Sequence, residues 1–139
     1  MKIISDSISL STKGYNDMLD ITSGIVEKLS KHKMHNGIVS LFVPGATGGL
    51  TTIEYEPGLK KDFSELMEKI IPSDVTYGHD ARWGDGNGFS HIRASLLGPS
   101  LVVPFSEGNL NLGTWQQIVF VDFDNRSRSR KILIQFMGE

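Results

Sequence analysis

Along the chain the apolar positions change period several times, and each change marks an element. Residues 2–10 alternate, with Ile4, Ile8 and Leu10 set among serines, and predict a half-buried strand. From Tyr15 the period lengthens. Tyr15, Met18, Leu19, Thr22, Ile25, Val26 and Leu29 recur at helical spacing and predict a helix buried on one face. Lys31, His32 and Lys33 follow, and positive charge suits that end of a helix dipole. Residues 38–43 form an unbroken apolar run stopped by Pro44, and residues 50–55 are β-branched and aromatic; together they predict a hairpin. Pro57 opens a helix with the stripe Leu59, Phe63, Leu66, Met67 and Ile70, and Pro72 closes it. Ser90 is placed to cap a short helix over residues 91–97, with Gly98 just past its end. The remainder reads as strands at 101–105, 114–124 and 131–137, with Asn125, Arg126 and Ser127 turning between the last two. This order predicts an α+β fold with an antiparallel sheet, since the regular alternation of a doubly wound fold is missing.

A length of 139 residues, 39% of them hydrophobic, predicts one domain over residues 1–139 with a single core. The net charge of -2 offers no general attraction to nucleic acid or acidic membranes, so neither is expected as a partner. The absence of cysteine excludes disulfides, thiolate metal sites and cysteine nucleophiles. No signal-like apolar run opens the chain, and none approaches the roughly 20 residues that cross a bilayer. A cytoplasmic location is the expectation. The glycines gather at residues 45–49 and 84–88, which points to loops where backbone comes close to something.

Four stretches carry candidate chemistry. The first runs from Tyr77 to Arg93, a glycine-rich loop entering a helix start, where free N–H groups and the helix dipole suit an anion. Arg82 and Arg93 flank it as further phosphate donors. His79 and His91 can meet there as metal ligands or as an acid/base pair, or each can merely hydrogen-bond within the loop. The second stretch is Pro44 to Gly49, with Thr52 and Glu54 beyond it on one side of a strand. Glu54 can serve as a base or cation ligand, or simply stand in solvent. The third holds Trp115 and Gln116, able to stack on and read a heterocycle, although a lone tryptophan more often packs in a core. The fourth is Arg126-Ser127-Arg128-Ser129-Arg130, whose period of two sets three arginines on one side, as a phosphate clamp or a protected strand edge.

Three blocks together resemble the YjbQ family: residues 80–88 (DARWGDGNG), 90–98 (SHIRASLLG) and 113–118 (GTWQQI). The resemblance implies an antiparallel β half-barrel or sandwich flanked by helices, assembled as a homotrimer with clefts between subunits. It implies that the glycine loops, His79, His91 and the Thr114-Trp115-Gln116 segment converge on one cleft. On that reading His79, His91 and Glu54 are catalytic, and His79 and His91 hold a divalent ion such as magnesium or zinc. Thr47, Arg82, Asp85, Gly86, Asn87, Ser90, Arg93, Thr114, Trp115 and Gln116 then bind a phosphorylated small molecule. The activity implied is a weak thiamine-phosphate synthase, a transferase joining a thiazole phosphate to a pyrimidine diphosphate. The alternatives are a trimeric binding protein for an anionic metabolite and a metal-dependent hydrolase. One departure stands out: Gly45-Ala46-Thr47 occupies the place of a histidine-containing triplet found in many members. Phe89 is a second, an apolar residue in a polar loop.

Overall fold

The computed structural model describes residues 1–139. Its elements are β1 (Lys2–Thr12), β2 (Asp17–Asp20), α1 (Thr22–Lys31), β3 (Gly37–Phe42), β4 (Gly48–Ile53) and α2 (Pro57–Ile70). They continue with α3 (Gly78–Trp83), α4 (Gly88–Leu97), β5 (Ser100–Ser106), β6 (Asn109–Leu110), β7 (Gln117–Asp122) and β8 (Arg128–Gly138). A five-stranded sheet runs β1-β8-β3-β5-β6 and a three-stranded sheet runs β2-β7-β4. Every pairing is antiparallel. The result is an α+β fold built on a curled half-barrel sheet with four helices.

Strand β7 explains the layering. Ile118 and Phe120 face a cluster with Ile25, Leu29, Val39, Leu41 and Phe136, which fills the space between the two sheets and α1. The alternate residues Val119 and Val121, with Phe123 just beyond the strand, pack with Met67, Ile71, Phe89 and Ala94 against the helices. A strand buried on both faces reads as a continuous apolar run, as β7 does. On the opposite side of the five-stranded sheet, Ile3, Ile38, Phe42, Val102 and Leu133 are exposed. No helix is long and apolar enough to cross a membrane.

The first helix starts at Thr22, not Tyr15, because Tyr15 and Asn16 both hold positive φ. Met18 and Leu19 instead belong to β2, paired with β7. The expected hairpin does not form. β3 pairs with β5 and β8 while β4 pairs with β7, so the glycine loop between them crosses from one sheet to the other. Strand β7 begins at Gln117, because Gly113 to Gln116 closes into a turn with Gln116 N donating to Gly113 O at 3.0 Å. Ser90 is not a cap: α4 begins at Gly88, and the buried Ser90 hydroxyl donates back to Asn87 O at 2.6 Å. Phe89 is buried in the second cluster with the Arg93 guanidinium 4.8 Å above its ring, which accounts for an apolar residue there.

Candidate functional site

Charge enters the core where β7 runs out. Asp122 and Asp124 are buried at the end of this strand, and Arg130 of β8 lies across them. Arg130 donates from Nε and Nη2 to Asp122 at 2.8 and 3.0 Å and from Nη2 to Thr47 Oγ1 at 2.6 Å. The Thr12 hydroxyl donates to Asp122 at 2.6 Å. Asp124 accepts from Thr47 Oγ1 at 3.1 Å, Asn87 Nδ2 at 3.2 Å and the Asn125 N–H at 2.8 Å. Burial opposes ionisation of Asp124, but these hydrogen bonds and the Arg128 charge outweigh it and leave its pKa below the ordinary value. Every buried charge in this floor is paired, as the cost of burying it requires. Gly45 leaves room for the arrangement, since a Cβ there would lie 3.0 Å from Arg130 Nη1.

Helices α3 and α4 bring the two histidines to the edge of this floor. One carboxylate ties the helices together: Asp80 accepts from Tyr77 N at 3.0 Å, at the start of α3, and from Gly88 N at 2.8 Å, at the start of α4. Those two bonds hold the Asp80 carboxyl below its usual pKa. Gly88 is needed for the approach, because a Cβ there would come within 2.7 Å of Tyr77. The rings of His79 and His91 consequently lie face to face at a tilt of 37°, with centroids 4.2 Å apart.

His79 Nδ1 is buried with no hydrogen-bond partner and stands 3.5 Å from Asp85 Oδ1 and 3.9 Å from Asp80 Oδ1. One ligand atom from each of His79, Asp80 and Asp85 falls within 4.8 Å of the others, a separation one cation could span. Asn87 Oδ1 is also buried without a partner. His91 has its pKa lowered, first by burial and then by the neighbouring His79, while Asp124, Asp85 and Asp80 pull the other way. It is therefore neutral at pH 7 and free to ligate or to accept a proton. His91, Asp85, Asn87 and Asp124 form one side of a cleft of about 470 Å³. Pro44 to Thr47 and the start of β8 form the rest.

Over residues 6–139 the chain matches the model of the family described as UPF0047 protein YjbQ-like. The chain belongs to the YjbQ family. It is 35% identical over 139 residues to a UPF0047 protein of Methanothermobacter thermautotrophicus, covering 100% of this chain and 95% of that one. A UPF0047 protein of Archaeoglobus fulgidus is 38% identical over 128 residues, 92% of this chain and 97% of its own. Among solved structures, a YbjQ-like protein of unknown function from Sulfolobus solfataricus P2 superposes with a TM-score of 0.93 at 31% identity, over 99% of both chains. A hypothetical protein from Aeropyrum pernix K1 gives 0.91 at 31% identity, over 98% of this chain and 99% of that one.

Of the residues that the YjbQ resemblance implies, the fold brings His79, His91, Thr47, Asp85 and Asn87 together. Thr47 acts from the floor, through its bonds to Asp124 and Arg130. Gly86 lies in the exposed turn between the two helices, with φ of 67°. The others go elsewhere, so the expected convergence does not occur within one chain. Glu54, Thr114, Trp115 and Gln116 sit at the opposite end of the three-stranded sheet, where Ile53 pairs with Gln117. A six-residue strand separates the two ends by about 20 Å. Trp115 is 72% exposed there, and Gln116 donates to Thr52 Oγ1 at 3.0 Å. Arg82 is exposed on α3, its guanidinium 5.2 Å from the Trp83 ring.

Arg93 is buried and held by the fold. It donates to Ile71 O at 3.1 and 2.7 Å, to Asn16 Oδ1 at 2.9 Å and to Glu68 Oε2 at 2.8 Å. Four of its five N–H donors are taken within the fold, so it is not a free phosphate ligand. Asp80 and Asp124 are site residues given no role from the sequence; Arg130, read there as part of a phosphate clamp or a protected edge, is committed to Asp122 and Thr47. Asp80 directly follows His79, and that adjacency was the one available signal.

Proposed function

We propose that the cleft is a metal-assisted site for a phosphorylated small molecule, with His79, Asp80 and Asp85 holding one divalent cation and His91 handling a proton beside it. The observation that carries this reading is the buried, unpartnered Nδ1 of His79 facing two carboxylates. A buried polar atom without a partner is costly unless something occupies it, and the donors fit a cation that accepts mixed oxygen and nitrogen ligands. A bound cation would supply charge stabilisation to phosphoryl oxygens. The chain's own residues do the rest. Asp80 fixes the spacing of the two histidines, and neutral His91 can accept a proton at the cleft wall.

The family resemblance suggests a transfer in which a thiazole phosphate displaces diphosphate from a pyrimidine, as in thiamine-phosphate synthesis. Supporting it are the metal-ligand group and the anion-suited cleft. Trp115 does not reach that cleft within one chain, so a stacking role requires a second copy. A homotrimer is consistent with this, because the exposed apolar face bearing Ile38, Phe42, Val102 and Leu133 suits subunit contact. The rival with a specific observation behind it is a hydrolase. The same cation group would serve it, and it needs no stacking residue.

The test is metal content of the purified protein together with melting shifts in magnesium, zinc and pyrophosphate, for the wild type beside His79→Ala and His91→Ala. One equivalent of metal that is lost in His79→Ala is the expected result. Retention of no metal by the wild type, with identical melting of all three proteins, would overturn the reading. Pyrophosphate release that needs both substrates separates transferase from hydrolase.

A further inference from the structure

The cleft that His91 and Asp85 line has a second wall, which takes up the arginine stretch of residues 126–130. It is made by the turn after Asp124 and the start of β8, where Arg126, Arg128, Arg130 and Lys131 all line the cavity. Two carboxylates, Asp85 and Asp124, line it as well. Counting Asp122 beneath the floor, four cations meet three carboxylates in a protein whose net charge is -2. The pairing is uneven. Arg130 is committed to Asp122 and Thr47. Arg128 stands 3.6 Å from Asp124, an ion pair without a hydrogen bond. Arg126 and Lys131 are exposed and form no ion pair. Across from them, the N–H groups of Ala46 and Thr47 make no hydrogen bond within the chain, and both residues line the same cleft.

We infer that Arg126, Arg128 and Lys131, with the Ala46–Thr47 backbone, form a phosphoryl-binding subsite distinct from the His79–Asp85 cation group. Free guanidinium and ammonium groups beside unpaired N–H donors are the chemistry that recognises phosphate oxygens. Arg128 is the adaptable member, able to turn from Asp124 toward an arriving anion while Asp124 keeps its other three donors. Arg130 answers Asp122, so the unpaired charges of Arg126 and Lys131 are left to face the cavity they line. The inference deepens the reading of this cleft as the site of a phosphorylated ligand, and it adds that such a ligand carries an anionic group held without the metal.

The experiment is calorimetric titration of the full chain with inorganic phosphate and with pyrophosphate in excess EDTA. It compares wild type, Arg126→Ala, Lys131→Ala, the double variant and Arg126→Lys. Lys61→Ala, an exposed cation of α2 outside the cleft, controls for net charge. Pyrophosphate should bind the wild type without metal and weaken roughly tenfold for each cation removed, the effect of losing one charge-assisted hydrogen bond. Arg126→Lys should recover part of the loss, and Lys61→Ala should bind as wild type. Wild-type affinity in the double variant, or no binding by the wild type in EDTA, overturns the inference. Metal uptake by the double variant separates this failure from that of the proposed function. If metal is held while the anion is indifferent to Arg126 and Lys131, the wall is wrong and the cation site stands. If no metal is held but anion binding still falls in the double variant, the wall stands alone.

Discussion

At the Asp122 end of the three-stranded sheet, acidic and basic side chains are buried, paired and hydrogen-bonded across four segments of the chain. At the Gln117 end of the same sheet, Glu54 and Trp115 stand in solvent and Gln116 bonds only within its turn and to Thr52. Both ends are rich in residue types that suggest chemistry. What separates them is whether the surroundings fix those residues. A side chain positioned by several partners meets a ligand in a set geometry; an exposed one must be ordered by whatever binds it. The Asp122 end is thus preorganised within one chain, while the Gln117 end is not.

The sharpest way to break this contrast is Arg130→Met. It leaves Asp122 buried with the Thr12 hydroxyl and the Asp124 N–H as its remaining donors, and removing one partner of a buried ion pair costs about 3–5 kcal/mol. Urea unfolding should show that loss, whereas Glu54→Gln should stay within about 0.5 kcal/mol of wild type. Equal effects at the two ends would dissolve the distinction.

A smaller effect concerns His91. Its folded pKa lies below the ordinary 6.5, so the unfolded chain takes up the proton first as pH falls. The stability that neutral His91 provides is complete above pH 6.5 and is lost as pH falls toward the folded value. An NMR titration of the imidazole should give a midpoint below 6.5. Asp124→Asn should lower that midpoint further, since the Asp124 charge raises it. An unchanged midpoint would mean that the floor and the histidine are electrostatically independent.

The smallest effect is expected for Trp115→Ala. Stability of the dilute chain should change by less than about 0.5 kcal/mol, as for other exposed sites. Sedimentation should nevertheless report weaker self-association if the Gln117 end is completed by another copy. A large loss of stability without any change in mass would show that Trp115 packs at home.

Much of the fold was legible in the sequence because period and punctuation carried it. Helix α2 spans Pro57–Ile70, between the two prolines that mark it, and the strand expected over residues 114–124 contains the twice-buried β7 at Gln117–Asp122. The failures share a cause: local pattern says what an element is and not what lies beside it. The strands β3 and β4 both exist, yet nothing in their residues says that they join different sheets. Met18 and Leu19 fit a helical period with Ile25 while pairing in β2. Helix α3 is six residues long, too short for any period to declare itself. The site divided the same way. His79, His91, Asp85 and Asn87 lie in one glycine-rich segment and could be read as a group. Arg93 belongs to that segment too, but its helix face turns it to Ile71 and Glu68. Asp124 and Arg130 reach the floor from outside that segment, and although Arg130 stands out in the arginine stretch, only the folded chain pairs it with Asp122.

The Asp80 carboxylate has a further consequence for how the site comes into being. By holding the first turns of α3 and α4 to each other, it keeps His79 and His91 together with no ligand present. The cost in freedom of ordering those rings is met by the chain's own collapse. A cation or anion bound as proposed would meet an arrangement already in place. Its arrival should register as added resistance to heat and as slower amide exchange in α3 and α4, with no gain in helix content.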